Sequence, residues 1–113
     1  HGGRIDLVYE TLNNPVVNEP RMTALARRAA LDTVGKNRVV ELDRPSMGGE
    51  DFSEYLHQVP GCFVYLGTGA GPRTRRPWHH ASFVLHEPSM GVGVKFFVAL
   101  ARRALSELSA SGR

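Results

Sequence analysis

Two adjacent histidines, His79 and His80, are the side chains best suited to chemistry in this sequence, and they lie within RTRRPWHHASF (73–83). Neutral imidazole is a common ligand for zinc and other divalent metals. Because successive side chains of an extended segment point to opposite faces, we expect at most one of the two histidines to bind a given ion. A structural zinc site needs about four N or S ligands, and no Cys/His spacing here supplies them. A surface histidine pair without chemistry therefore stays open as the alternative.

A second candidate is the acidic loop GGEDF (48–52), in which two glycines precede Glu50 and Asp51. The glycines allow the backbone to bend sharply and to approach a neighbour closely. Carboxylates in the first turn of a helix offset its dipole, so helix capping alone would account for both acids. In open α/β sheets, however, sites collect outside the C-terminal ends of strands, where this loop would lie. The pattern leaves both interpretations open.

The arginines and the tryptophan at 73–78 raise the question of nucleic-acid binding. The net charge is +3, from 14 Lys+Arg against 11 Asp+Glu, and the basic residues are scattered in short groups. We therefore expect no nucleic-acid partner. The single cysteine, Cys62, excludes an internal disulfide and fits a reducing compartment, which predicts a cytoplasmic location. No apolar run reaches the roughly 18 residues that span a bilayer, so no membrane partner is expected.

Hydrophobic periodicity and turn residues predict the elements that position these side chains. Alternation at 4–10 indicates a half-buried strand, and the continuous apolar run at 62–67 indicates a buried one. The predicted elements are strand 4–10, helix 20–34, strand 38–42, helix 50–58, strand 62–67, a loop and helix 88–108. The order β-α-β-α-β-loop-α predicts an α/β fold, in which a mixed or parallel sheet is covered by helices.

Specific residues are predicted to end and orient these helices. Asn18 is a good N-cap for the first helix and Gly35 a plausible stop, while His57 would be a cation at the end of the second helix. The last helix is expected to bury one apolar stripe, formed by Met90, Val94, Phe97, Ala101, Leu105 and Leu108.

Four stretches, taken together in their order and spacing, resemble one family. They are PVVNEP (15–20), PSMGGEDFSEYLHQVPGCFVYLGTG (45–69), HHASF (79–83) and HEPSMGVG (86–93). They are similar to the C-terminal part of the metal-dependent amidohydrolases that include hippurate hydrolase, N-acyl-amino-acid amidohydrolases and plant indole-acetyl-amino-acid hydrolases. The resemblance covers roughly residues 1 to 106.

The resemblance implies a catalytic α/β domain, interrupted by a smaller lid domain, that carries two divalent metal ions, zinc or manganese. Such enzymes hydrolyse the amide between an acyl group and an amino acid. Residues 1–17 would be the end of the lid domain, with its last strand and return crossing, and residues 18–113 the C-terminal segment of the catalytic domain. A homodimer through the lid domain is possible on the same grounds.

The resemblance also assigns individual residues. His79 takes the metal-ligand position, with His80 as the alternative, while Gly49, Glu50 and Asp51 take supporting places around the site or beside the substrate. The other metal ligands and the glutamate that acts as general base would lie upstream. His1 as the first residue agrees with a fragment that is inactive alone. The alternative is a non-catalytic binding or interaction module on the same scaffold.

Overall fold

The computed structural model describes residues 2–10 and 12–111, apart from the side chains of Leu108 and Ser111. Within this part lie three α-helices, α1 (Pro20–Val34), α2 (Phe52–Leu56) and α3 (Pro88–Ser111), and two 3-10 turns, Lys36–Arg38 and Pro72–Thr74. None of these helices is long and apolar enough to cross a membrane. The described segments between them have no regular secondary structure apart from bends and single turns.

Helix α1 has the bounds that the sequence predicts. Gly35 ends it at a φ of 76°, where its N–H donates to the Leu31 carbonyl at 2.9 Å. A positive φ is readily adopted by glycine and disfavoured for other residues, which explains the stop. The predicted N-cap is wrong, because Glu19 caps the helix in place of Asn18, its carboxylate accepting the Met22 N–H at 2.7 Å.

The buried apolar core of the described residues lies on α1. Its members are Leu25, Ala26 and Ala29, which are 5%, 4% and 0% exposed. Spacings of one and four residues place them on one face of the helix, and this face packs against α3. Two alanines in this short stripe allow the helix backbones to approach closely, since they add little side-chain volume between the axes.

Two ion pairs join α1 and α3 beside this core. Arg28 Nη2 lies 2.6 Å from Glu107 Oε1, and Arg103 Nε donates to Asp32 Oδ2 at 2.9 Å. The earlier residue on α1 pairs with the later residue on α3, so the helices are antiparallel. Each helix contributes one cation and one anion four residues apart, so both pairs form together only in the antiparallel direction and in this register.

The buried face of α3 differs from the predicted one. Met90, Val94, Phe97 and Leu105 are 56–67% exposed, and the side chain of Leu108 lies outside the described part. The half-buried residues form another stripe, Ser89, Val92, Gly93, Phe96, Ala99, Leu100, Arg103 and Ala104. Helix α3 is apolar on two faces, so its hydrophobic pattern alone does not determine which face packs against α1.

The predicted α/β fold class is wrong for the described residues, which contain helices and turns but no strand. The three predicted strand segments, 4–10, 38–42 and 62–67, form no strand and have no regular secondary structure, apart from Arg38, which ends a 3-10 turn. Ile5 and Leu7 at the first of them are 91% and 84% exposed. Alternating or continuous apolar residues favour an extended backbone, but a strand also needs a neighbouring chain for its hydrogen bonds.

The molecule is long and open, with extents of 67 × 45 × 21 Å and a radius of gyration of 18.8 Å. A compact domain of this length would have a radius of about 13 Å. The acidic loop and the histidines are therefore presented on surface segments rather than over a sheet. The domain boundary predicted after residue 17 stays a prediction.

Candidate metal-ligand site

The histidine turn places His79 in an unusual backbone conformation. The His80 N–H donates to the Pro77 carbonyl at 3.2 Å, which closes a four-residue turn with His79 at its third position. His79 has a φ of 69°, the one positive φ among the described residues other than glycine. Type II turns take positive φ at this position, usually with Gly or Asn. A histidine there costs roughly 1 kcal/mol, and such strain often accompanies function.

The two histidine rings differ in their contacts. His80 Nδ1 accepts the Ser82 N–H at 3.0 Å, and its Nε2 lies 3.2 Å from Nη1 of Arg76. A neutral ring that accepts at Nδ1 carries its proton on Nε2, so Nδ1 is occupied, and Nε2–H and the Arg76 guanidinium are both donors that do not hydrogen-bond to each other in this tautomer. The His79 ring forms no hydrogen bond with the described residues. His79 is thus the histidine whose ring nitrogens are available, and its ligand role stays a prediction.

The acidic loop is built around the start of α2. The helix is shorter than the predicted 50–58, because single turns flank Phe52–Leu56, and His57 lies directly at its C-terminal end as expected. Glu50 Oε1 accepts the Phe52 N–H at 3.2 Å, so one acid does serve the helix N-terminus. Asp51 makes no such capping bond.

Asp51 and Gly49 instead contact the segment that precedes α1. Asp51 Oδ1 accepts from Asn13 Nδ2 at 3.2 Å, and Asn14 Nδ2 donates to Glu54 Oε1 at 3.1 Å. A Cβ added at Gly49 would lie 3.1 Å from Asn13 Nδ2, so a side chain at this position would displace the amide. The supporting roles predicted for Gly49, Glu50 and Asp51 stay predictions, but their contacts fix the shape of the loop.

A row of aromatic rings connects the acidic loop to the histidine turn. Its members in spatial order are Tyr55, Phe52, Phe63, Tyr65 and Trp78, with successive centroids 6.0, 5.5, 5.3 and 5.7 Å apart. Tyr65 and Trp78 are stacked, with an interplanar angle of 8°. The aromatic row therefore ends next to His79 in sequence. The sequence pattern did not predict this row, although residues two apart in an extended segment, such as Phe63 and Tyr65, share a face.

The segment 61–65 is held in place by the residues just before α1. Asn18 Nδ2 donates to the Phe63 carbonyl at 2.9 Å, and Asn18 Oδ1 accepts the Phe63 N–H at 2.8 Å. The Glu19 N–H donates to the Gly61 carbonyl at 2.9 Å. The Asn18 amide thus pairs with both backbone groups of Phe63, as a neighbouring strand would. This use of Asn18 explains why it does not cap α1.

The described residues do not by themselves form a metal centre. They include no group of three or more His, Cys, Asp or Glu side chains placed to hold an ion. His79 offers one imidazole of the right chemistry, whereas Glu50 accepts a hydrogen bond from the Phe52 N–H and Asp51 accepts one from the Asn13 amide. The donor set fits a chain that contributes a single ligand to a centre, and it does not fit a complete site.

Comparison with known proteins identifies the family. The profile of the peptidase family M20/M25/M40 matches residues 4–103, and the chain belongs to this family. The predicted resemblance to metal-dependent amidohydrolases is thereby confirmed at the level of the family. No solved structure matches the chain.

Several relatives match most of the chain. It is 42% identical over 99 residues to a Rhodococcus jostii protein provisionally named glutamate–cysteine ligase 2-3, covering 88% of this chain and 12% of the relative. It is 36% identical over 104 residues to a provisionally named amidohydrolase, YhaA, of Bacillus subtilis, covering 89% and 26%. It is 34% identical over 91 residues to the N-acetyl-L-cysteine deacetylase of B. subtilis, covering 80% and 20%. The chain thus spans about a quarter or less of these relatives.

Proposed function

We propose that this chain is the C-terminal part of a metal-dependent amidohydrolase that cleaves the amide bond of N-acyl amino acids with hippurate-like structures. The family match and the names of two relatives, an amidohydrolase and a deacetylase of an N-acetyl amino acid, support this class of reaction. Residues 1–17 would end a lid domain and residues 18–113 would belong to the catalytic domain. Alone, the 113 residues would be inactive.

The observation that carries this proposal is the state of His79. Its backbone is held at positive φ by a closed turn, and its ring is free of hydrogen bonds to the described residues. The turn determines where the Cα and Cβ of His79 lie, and the ring nitrogens are available to a ligand. We therefore assign His79 as one ligand of a centre of two divalent ions, zinc or manganese.

Such ions supply polarisation of the scissile carbonyl and activation of water. His79 would hold one ion, and the hydrogen bonds of Glu50 and Asp51 would keep the acidic loop in shape at the far end of the aromatic row. The general base and the other ligands would come from the rest of the enzyme. The same proposal includes a dimer formed through the lid domain. It also includes a cytoplasmic location, which the single cysteine suggests.

The test uses the complete enzyme that contains this chain. His79→Ala should remove one metal equivalent and lower kcat/KM for N-benzoylglycine by at least roughly a hundredfold, since even residues that only orient a ligand contribute 10–100-fold. Metal content would be measured by plasma mass spectrometry, and turnover by release of glycine. His80→Ala is the matched control and should retain both ions. Full metal content and turnover in His79→Ala would refute the assignment.

A non-catalytic binding or interaction module on the same scaffold is the second candidate, and the basic segment 73–76 is the feature that would serve it. The two candidates differ in the complete protein. If the module is correct, the purified protein will hold no stoichiometric zinc or manganese and will release no glycine from N-benzoylglycine. Stoichiometric metal together with turnover would exclude it.

A further inference from the structure

A surface groove of about 660 Å³ lies between three segments, 42–46, 65–69 and 74–78, with Phe83 at one side. We call it the arginine groove, because Arg44, Arg75 and Arg76 line it. Its volume falls within the range of about 300–1,000 Å³ that is typical of small-molecule sites. A second surface groove, of about 470 Å³, lies between Val17–Pro20 and Leu56–Gly61.

The charged side chains that line the arginine groove are all positive. No Asp or Glu is among the described residues that line it. Arg44, Arg75 and Arg76 form no ion pair with a described residue, whereas Arg28 and Arg103 of the helix pair both do. Three guanidinium groups without carboxylate partners create a positive potential, and arginine presents the donors that bind a carboxylate through two hydrogen bonds.

One wall of the arginine groove is aromatic. The stacked rings of Tyr65 and Trp78 line it and are 48% and 59% exposed, and Phe83 is 42% exposed. Aromatic faces that remain half open to solvent offer a surface on which a planar apolar group can stack. The groove therefore presents cations and aromatic faces to the same ligand.

The loop that carries Arg75 and Arg76 is held by hydrogen bonds before any ligand arrives. Thr74 Oγ1 accepts the N–H of Ala70 at 2.9 Å and of Gly71 at 3.2 Å. Gly69 lets the stem of Arg75 pass close, since an added Cβ would lie 3.1 Å from Arg75 Cγ. A fixed loop lowers the entropy that binding would otherwise cost.

We infer that the arginine groove binds a small carboxylate that carries a planar apolar group, the anion on the arginines and the ring against Tyr65 and Trp78. An N-aroyl amino acid has both features. The groove would hold the carboxylate end of the substrate only if the proposed hydrolase function is correct. In that case the substrate would lie near the proposed metal ligand, because His79 follows Trp78 directly in the chain. Binding of the carboxylate itself does not depend on catalysis. Nucleic acid is disfavoured because the cationic surface is a short concave site rather than a long stripe.

The test exploits the single tryptophan of the chain, Trp78, whose fluorescence reports on the groove directly. The probe is 3-benzoylpropionate, in which a methylene replaces the amide nitrogen of N-benzoylglycine, so that hydrolysis is impossible. Titration of the 113-residue chain in EDTA should change the Trp78 emission saturably. The methyl ester of the probe lacks the charge and levulinate lacks the ring, and both should bind at least roughly tenfold more weakly.

Variants locate the site. The double variant Arg75→Gln/Arg76→Gln should weaken probe binding roughly tenfold, since hydrogen bonds to charged groups are lost. Arg73→Gln is the control for loss of charge from the same loop: it removes one positive charge, against two in the double variant, at a residue that does not line the groove. The same comparison by calorimetry in the complete protein tests the inference independently of how the short chain folds.

Equal binding by the double variant and the wild type, or equal binding of the probe and its ester, would overturn the inference. Displacement of the probe by oligothymidylate at lower concentration than by benzoate would assign the groove to nucleic acid and overturn it too. Because every titration is performed without metal, loss of the proposed hydrolase function through the His79→Ala test would leave these binding results unchanged, and the two failures are distinguishable.

Discussion

The α1–α3 helix pair and the region from 45 to 83, which carries the acidic loop and the histidine turn, are stabilised in different ways. The pair has regular backbone hydrogen bonds, the buried apolar side chains of the described residues and two cross-helix ion pairs. The motif region has only the five-residue helix α2 and one 3-10 turn, Pro72–Thr74. Its shape depends on the Asn18 amide, the Asn13–Asp51 contact and the aromatic row. Chemistry-bearing residues thus lie where local structure is weakest and tertiary contacts are specific.

Leu25→Ala should have the largest effect on stability, and it should destabilise the helix pair without changing the motif region. Leu25 is 5% exposed in a thin core, so the substitution should lower the free energy of unfolding of the helix pair by about 2 kcal/mol. Urea denaturation followed by far-ultraviolet circular dichroism would measure this loss. The native Trp78 emission at low urea should stay unchanged.

Leu105→Ala is the matched control on the other face of α3, where the side chain is 67% exposed. It should change the free energy of unfolding by less than about 0.5 kcal/mol, as exposed substitutions usually do. A cost as large as that of Leu25→Ala would contradict the packing face that the structure gives α3.

Asn18→Ala should damage the motif region and spare the helix pair. It removes both hydrogen bonds to Phe63, and a loss of about 1 kcal/mol is expected because both bonds are exposed to solvent. Trp78 emission should change because the aromatic row loses its support at Phe63, and the helical dichroism should persist. Asn18→Asp keeps an acceptor for the Phe63 N–H but no donor, so its effect should be intermediate. Equal helix loss in both variants would show that Asn18 acts on α1.

The ion pair between Asp32 and Arg103 should contribute less. Side chains that are 53% and 36% exposed are screened by solvent, and such pairs are worth about 0.2–1 kcal/mol. A double-mutant cycle with Asp32→Asn and Arg103→Gln, in low and high salt, isolates the coupling energy. A coupling energy of zero at low salt would show that this ion pair does not help to stabilise the antiparallel arrangement of α1 and α3.

Glu19 should give the smallest effect, visible as a pH dependence of α1. The backbone N–H groups of Arg21 and Met22 donate to its carboxylate and lower its pKa below the usual range. A group whose pKa is lower in the folded state stabilises fully above the unfolded pKa, and this contribution is lost as pH falls through the folded pKa. The helical dichroism should therefore weaken at acid pH. Glu19→Gln should flatten that part of the titration and Glu10→Gln should not.

Local signals account for the features that the sequence predicts well. The first helix and its stop at Gly35 depend on neighbouring residues in the chain, and the order of the motifs is enough to recognise the family. The choice of His79 over His80 came from the family motif and is not tested by the contacts of the two rings. Its role as a ligand stays a prediction, as do those of Gly49, Glu50 and Asp51.

The failures share one physical cause. An apolar run at 62–67 favours an extended backbone, but whether it becomes a strand depends on a partner elsewhere in the chain. In this structure the Asn18 side chain takes that place, and aromatic neighbours occupy the face of Phe63 and Tyr65. The prediction of which face of α3 is buried is wrong for the same reason, because two apolar faces compete for one partner helix.

The sequence by itself therefore determined the first helix, its stop and the family, because caps, periodicity and motif order are properties of residues close along the chain. Only the tertiary structure decided which face of α3 is buried, that Asn18 binds Phe63, and that the aromatic row and the arginine groove meet at Trp78. These are contacts between residues tens of positions apart, such as the 45 that separate Asn18 from Phe63. Their formation depends on three-dimensional packing that no short window of sequence contains.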